Sequence, residues 1–365
     1  MLQFVILLAF LVFTQFAAVA YSAPLTCPPG SEVLPCTCTS SATEKPSLAC
    51  IGPTISQANI ERLFARIRAV NAIPLDGGPE DSGEYTPSPS DKKLNWINIT
   101  RFDLINTEMT SLNNAPLVGC HFDVLDASNN SLLREIVLAD INKLINGRYR
   151  GEISVAAETV RFDRCALGDS AWKAFTMFHN SVRHLSLKNN ALAIVEYRSD
   201  YLKQLHALER LDLADNRIYE IRGSQFTENH YLQHLNLSRN RISSLGPAAF
   251  KILHTPFELA DKRLTIDLSH NNLYNGQAVV SDPYRVHRPI DLILAHNNYI
   301  SVGTSNFLEL LLADRTNTID FTGNNWICSR EMSWLKSAAV VFADRVKGLD
   351  CINDPGKTAF TSSFT

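Results

Sequence analysis

The residue types that could carry chemistry in this chain are few and scattered. His270 and His296 each precede an asparagine in the closely similar strings SHNN and AHNN. That placement would suit a pH-sensitive or metal-binding pair if the two strings lie on neighbouring strands, and two solvated histidines are the plainer reading. Gly168-Asp169-Ser170 matches three residues of a serine-esterase motif, too few to identify a nucleophile. The chain holds no HExxH, G-x-S-x-G, Walker A or G-x-G-x-x-G string. No catalytic residue, metal or cofactor is therefore expected, and a net charge of -3 points to neither nucleic acid nor an anionic membrane.

Cysteine chemistry is more informative. The first twenty residues are apolar, carry no charge and end in Ala18-Val19-Ala20, the pattern of a cleaved secretory signal. All eight cysteines follow it, as expected of disulfides formed in an oxidising compartment. Cys27, Cys36, Cys38 and Cys50 cluster with C-x8-C-x-C-x11-C spacing, which is not a zinc pattern, and allow three pairings. Cys328 and Cys351 stand near the end, and Cys120 and Cys165 between. No later stretch is apolar for long enough to span a bilayer and no lipid-anchor tail is present, so a secreted, extracellular protein without a membrane partner is expected. Sequons at Asn98, Asn129 and Asn236 make these candidate glycosylation sites.

The elements that must position these residues follow from a repeat. LERLDLADNRI, residues 208–218, fits the template L-x-x-L-x-L-x-x-N-x-L, the leucine-rich repeat signature, and eight further copies fit it with varying fidelity. Their asparagine positions are Thr107, Asn130, Cys165, Asn190, Asn216, Asn240, Asn271, Asn297 and Asn324. The steps between them are 23, 35, 25, 26, 24, 31, 26 and 27 residues, so the two long steps carry loop insertions. An aromatic residue supports the register independently: Phe175, Phe226, Phe250 and Phe307 each fall ten residues after such a position, and Tyr201 eleven. Alternating apolar residues make a short strand per copy, and stacked copies share one interior whose ends need caps. The buried asparagines are expected to satisfy backbone groups of adjacent turns as a ladder. The fold class is therefore an α/β leucine-rich repeat solenoid, with a curved parallel sheet on the concave side, a helical or irregular convex side and disulfide-capped ends.

The organisation along the chain is a signal peptide over 1–20, a Cys-rich cap over 21–54 and a helix with a disordered loop over 55–93. Repeats then occupy 94–325, a second cap 326–352 and a flexible tail 353–365. The helix, ISQANIERLFARIRAV, places Ile60, Leu63, Phe64, Ile67 and Val70 on one face behind Ser56 as its cap. The loop that follows is rich in Pro, Gly, Ser and acid. In the second cap, Trp326, Trp334 and a short helix cover the last repeat under a Cys328 to Cys351 staple. Cys165 occupies a ladder position where Cys replaces Asn, and with Cys120 it reads as an unpaired buried thiol.

The strand positions six, four, two and one before each ladder residue are expected to face out from the concave side. Position six holds Arg101, His184, Arg210 and His234; position four holds Asp103, Asp126, Asp212, Asp267 and Asp320. Ile293 is an apolar residue on the same face. His184, Arg210, Asp212, His234, Asp267 and Ile293 are the candidate ligand-binding residues, a mixed field suited to a polar or zwitterionic surface. Asn236 puts a possible glycan on the same face.

SEVLPCTCTS, SLACIG, ISQANIERLF and the downstream repeats together resemble a family of secreted arthropod leucine-rich repeat proteins. It is the family named for the oplophorus-luciferin 2-monooxygenase non-catalytic subunit. The resemblance implies a non-enzymatic secreted repeat protein able to accompany another subunit; no luminescent role follows from it. Leucine-rich repeat caps of this kind commonly join first to third and second to fourth cysteine, which implies Cys27 with Cys38 and Cys36 with Cys50. The leading expectation is a recognition or scaffold module binding an extracellular protein or glycan on its concave face. The alternative is a stabilising, non-catalytic subunit of a secreted enzyme complex.

Overall fold

A computed structural model describes residues 25–41, 44–73, 97–138, 155–195, 200–246, 249–250, 256–274, 288–301, 312 and 314–363. The signal peptide, most of the acidic loop and Phe307 lie outside them, as does much of both long steps. Twelve strands form one sheet in chain order. They are β1 (Thr37–Thr39), β2 (Ser47–Ile51), β3 (Ile97–Ile105), β4 (Cys120–Asp126), β5 (Val155–Arg161), β6 (His184–Ser186), β7 (Arg210–Asp212), β8 (His234–Asn236), β9 (Leu264–Asp267), β10 (Ile290–Ile293), β11 (Thr318–Asp320) and β12 (Val346–Lys347). Only β1 and β2 pair antiparallel; every other neighbour is parallel. This is a leucine-rich repeat solenoid of mixed α/β content, its far side made of short 3-10 and α-helical turns such as Asp169–Ala171 and Trp172–Phe175.

The template explains the stack. In β7 and just past it, Leu211 and Leu213 turn inward at 1% and 0% exposure, and register aligns Leu185, Leu211, Leu235, Ile266, Leu292 and Ile319 across successive strands. No copy buries these side chains alone, so the interior is continuous from cap to cap. Phe226 and Phe250 stack at 5.9 Å, and Phe175 meets Phe162 edge-on at 5.7 Å, giving the convex side its spine.

Each ladder asparagine is fully engaged. Asn216 donates from Nδ2 to the Leu187 carbonyl of the preceding coil at 2.9 Å and to Leu213 of its own at 3.0 Å. Its Oδ1 accepts the Leu192 amide at 3.1 Å. Asn190, Asn240, Asn271 and Asn297 repeat the arrangement one coil along. Asn130 also accepts from the Thr107 amide and hydroxyl, and Asn324 closes the series through Tyr299. Cys165 reproduces part of this, its Sγ lying 3.3 Å from the Ala127 carbonyl and 3.6 Å from that of Asp163.

Both ends are covered. Disulfides join Cys27 to Cys38, Cys36 to Cys50 and Cys328 to Cys351. Helix α1 (Gln57–Val70) begins at Ser56, whose amide and hydroxyl both donate to Asn59 Oδ1 at 2.8 Å. Its Phe64 meets Phe102 and Phe122 edge-on at 5.3 and 6.3 Å. The face differs from expectation at its C-terminal end: Val70 is 44% exposed while Arg68 is 8% exposed. A polar pocket under that last turn explains the exchange, because Arg68 Nη2 donates to the carbonyls of Val118 at 2.6 Å and Pro116 at 3.1 Å. At the other end Trp326 packs against Phe321 and Tyr299 at 5.0 and 6.0 Å, beside helix α2 (Trp334–Phe342). The expected flexible tail instead folds back as far as it is described. Ala359 donates to the Leu349 carbonyl, Asp350 bridges Thr358, and Ala359 and Ser362 are buried.

Two outcomes follow. Replacing Asn216 with Leu orphans the Leu192 amide and removes one of the two donors to Leu187 O, and is expected to cost about 1–3 kcal/mol in chemical denaturation; an unchanged midpoint would contradict the ladder. Cys120 and Cys165 are unpaired and buried, and burial pushes both thiols up to about 12. Neither should react with a thiol reagent at about pH 8 until the protein is unfolded, when both should appear; early reaction would contradict this packing.

Candidate binding surface

The backbone decides which side chains reach the concave face. The residue before every ladder position has a positive φ: Asn106, Asn129, Arg164, Asn189, Asp215, Arg239, His270 and His296 lie between 54 and 60°, and Gly323 at 74°. Here each coil leaves its strand through a left-handed step, which asparagine, aspartate and glycine adopt most readily. Position one is therefore a turn at the rim and not part of the sheet. The structure corrects the expectation there: His270 and His296 are neighbours, with rings stacked at 4.4 Å and 13°, but on the turn instead of on adjacent strands. A Cβ at Gly323 would fall 2.3 Å from His296 Nδ1, so glycine leaves room for the lower ring.

Position two is corrected in part. Ser128, Ala214, Ser238, Ser269 and Ala295 stand there and are buried, whereas Lys188 and Thr322 at the same position are exposed. Their amides turn back toward the strand. Ala214, Ser128, Ser269 and Thr322 donate to Oδ1 of Asp212, Asp126, Asp267 and Asp320 at 2.9, 3.1, 2.8 and 2.9 Å. Asn236 serves Ser238 in the same way at 3.1 Å. The aspartate column is thus first a set of turn caps, in which a short acceptor side chain satisfies an amide two residues on. One oxygen of each is committed to the fold.

Positions six and four form the outward rows of the strands themselves. Register sets Thr159, His184, Arg210, His234 and Thr265 side by side, and Arg161, Ser186, Asp212, Asn236, Asp267 and Ile293 in the next row. The two rows floor a cavity of about 480 Å³. All six candidate residues, His184, Arg210, Asp212, His234, Asp267 and Ile293, line it. Arg101 does not: it is tied to Asp103 at 2.7 Å and Asp126 at 3.0 Å, and belongs to the first coils.

The electrostatics are mixed. Burial, then nearby cations, hold His184 and His234 below the ordinary histidine range, Glu209 opposing this at His184. Burial raises Asp212, against its bond from the Ala214 amide. At this site Thr159 Oγ1 lies 3.4 Å from His184 Nδ1 and Glu209 lies 3.9 Å from its Nε2, while Ser186 Oγ donates directly to Asp163 at 2.5 Å. The Gly168-Asp169-Ser170 string is a turn whose Asp169 accepts the Ala193 and Ile194 amides at 2.8 and 3.2 Å. No metal-ligating cluster occurs among the described residues.

The sequon asparagines differ in setting. Asn98 is half-buried on β3 opposite His121, and Asn129 occupies a left-handed step with Oδ1 accepting from Arg164 at 3.3 Å. Asn236 lies in the cavity floor, its Oδ1 also taking the Ser238 hydroxyl at 2.7 Å. Asn229, a buried asparagine that is not part of the ladder, links Leu202 and Leu205 carbonyls at 3.0 and 3.1 Å on the convex side. It stands outside the template, so nothing in the repeat pattern reveals it.

These features define a leucine-rich repeat fold. The family model described as Leucine rich repeat matches residues 206–255, the coils of Asn216 and Asn240. The chain is similar to one in the crystal structure of the LRIM1/APL1C complex, at 18% identity and TM-score 0.41, over 67% of this chain and 36% of that one. It is similar to one in the mouse RP105/MD-1 complex, at 15% identity and TM-score 0.41, over 73% and 50%. A Leptospira interrogans leucine-rich repeat protein shares 14% identity at TM-score 0.42, over 69% and 60%. The chain thus spans between about a third and three fifths of these chains. No curated protein matches.

Because Asp212 serves both turn and face, its variants separate the roles. Asp212→Asn keeps an acceptor for Ala214 and should leave stability within about 0.5 kcal/mol, whereas Asp212→Ala should lose about 1 kcal/mol in thermal or chemical unfolding. Equal stability of the two variants would contradict the capping role.

Proposed function

We propose that this protein is a secreted, non-enzymatic recognition module that binds an extracellular protein on its concave face. The observation that carries the reading is the cavity on β5–β10, where His184, Arg210, Asp212, His234, Asp267 and Ile293 converge from different coils. A solenoid presents such a surface because its strands are parallel and in register, and leucine-rich repeat arcs serve as protein-interaction modules on that ground. Ile293 supplies an apolar contact at one wall, and the charged residues supply orientation. Three disulfides favour an oxidising compartment, and no helix among the described residues is long and apolar enough to cross a membrane.

The proposal requires Asn236 to be unmodified, since a glycan there would fill the cavity. Asn98 and Asn129, outside the cavity, remain the candidate acceptors of carbohydrate. Membership of the arthropod family suggested by the cap, and with it the role of a non-catalytic subunit, is a narrower form of the same reading.

The test is affinity capture from the native extracellular fluid with the secreted protein as bait, compared with an Arg210→Ala, Asp212→Asn, Ile293→Ala triple variant. The variant is expected to fold and lose its partner by at least about tenfold. Undiminished capture by the variant contradicts concave recognition. Recovery of a stoichiometric catalytic chain would mark the subunit role; carbohydrate found at Asn236 by peptide mass analysis would sink the site as drawn.

A further inference from the structure

We propose that the concave cavity receives a carboxylate from an acidic side chain of the partner protein, held by Arg210 between His184 and His234. This rests on the concave reading above and specifies the chemistry its partner must present.

Arg210 differs from its neighbours by being uncommitted. Along the same arc Arg101 pairs with Asp103 and Asp126, Arg183 with Glu209 at 2.6 Å, and Arg263 with Asp291 at 2.7 Å. Among the described residues Arg210 makes no ion pair and no side-chain hydrogen bond. It lies on β7 at the middle of the cavity, directly between His184 on β6 and His234 on β8. Adjacent strands stand about 4.8 Å apart, so three donor-bearing side chains occupy a span of about 10 Å. A guanidinium offers two parallel N–H groups to a carboxylate, and each imidazole adds a donor when protonated.

The surroundings select one carboxylate over a polyanion. Asp212 and Asp267 lie in the adjoining row, and would repel a run of like charges such as a sulfated polysaccharide. Ile293, at one side of the cavity, favours a ligand that brings hydrocarbon beside its charge, as a peptide does and a sugar acid with its ring of hydroxyls does not.

Protonation should couple to binding. His184 faces Glu209 at 3.9 Å together with Arg210, Arg183 and Arg161; His234 faces Arg210 and His184. Burial lowers both imidazoles, Glu209 opposes this at His184, and the cations add to it at both. A carboxylate on Arg210 offsets the cations, raises both groups, and so draws protons onto them as it binds. Affinity should therefore rise as the pH falls through the histidine range, until the carboxylate itself protonates.

The experiment follows the His184 and His234 ring signals of the intact protein by NMR while acetyl-Gly-Glu-Gly-amide, its Gln counterpart or glucuronate is added. The Glu peptide is expected to give saturable shifts, and the Gln peptide none. Binding should be at least about threefold tighter near pH 5.5 than near pH 7.5. Arg210→Gln should abolish the response with an unchanged unfolding midpoint, and Arg263→Gln, outside the cavity, should keep it. Equal shifts with Glu and Gln peptides, or a full response in Arg210→Gln, would overturn the carboxylate while leaving concave recognition standing. Glucuronate bound in preference to the Glu peptide would overturn the peptide assignment. Loss of concave recognition itself is read separately, from the capture experiment.

Discussion

A side-chain amide with two donors and one acceptor holds this molecule together. Each ladder asparagine gives its Nδ2 to carbonyls of two successive coils and takes the amide of a third segment on Oδ1, as Asn216 does with Leu187, Leu213 and Leu192. Parallel pairing alone leaves groups past the strands, such as the Leu192 and Ile218 amides, without partners, and a buried peptide group left so costs more than a made hydrogen bond returns. The asparagine meets that demand inside an otherwise apolar stack. Leucine burial supplies most of the driving force, and the ladder determines where each coil must turn.

That turn then determines the face. The chain leaves each strand by a left-handed residue, and the aspartate column caps the step by accepting the amide two residues on. Both features take the two residues preceding the ladder out of the strand. The cavity sits where the two strand rows combine cationic, acidic and apolar side chains without internal pairing at Arg210. Recognition and architecture thus share residues: Asp212 caps a turn with one oxygen and faces the cavity with the other.

The parts legible in the sequence were those with a period. Leucines at fixed spacing and asparagines at fixed offset give the coils, their register and the columns that meet in the cavity. The left-handed step was also written there, in the run Asn106, Asn129, Asn189, Asp215 and Gly323, but reading it requires treating that column as backbone geometry and not as a binding surface. Features outside the repeat could not be read so. Arg68 sits next to Ile67 as any solvated arginine would, and only the carbonyls of Pro116 and Val118 make its burial favourable. Asn229 has no counterpart spaced like it, and the segment after Cys351 carries no periodicity to announce that it folds back on Leu349. Such contacts join stretches remote in sequence, and local pattern says nothing of them.

Native-state hydrogen exchange tests the central role of the ladder most directly. The amides of Leu167, Leu192, Ile218, Ile242 and Leu273 lie outside every strand, yet each donates to a ladder Oδ1. They should exchange as slowly as strand-end amides such as Leu213 and Leu237, opening only with the whole stack. Exchange at the rate of exposed loops, with the strand amides still protected, would contradict the claim that asparagine closes the coils.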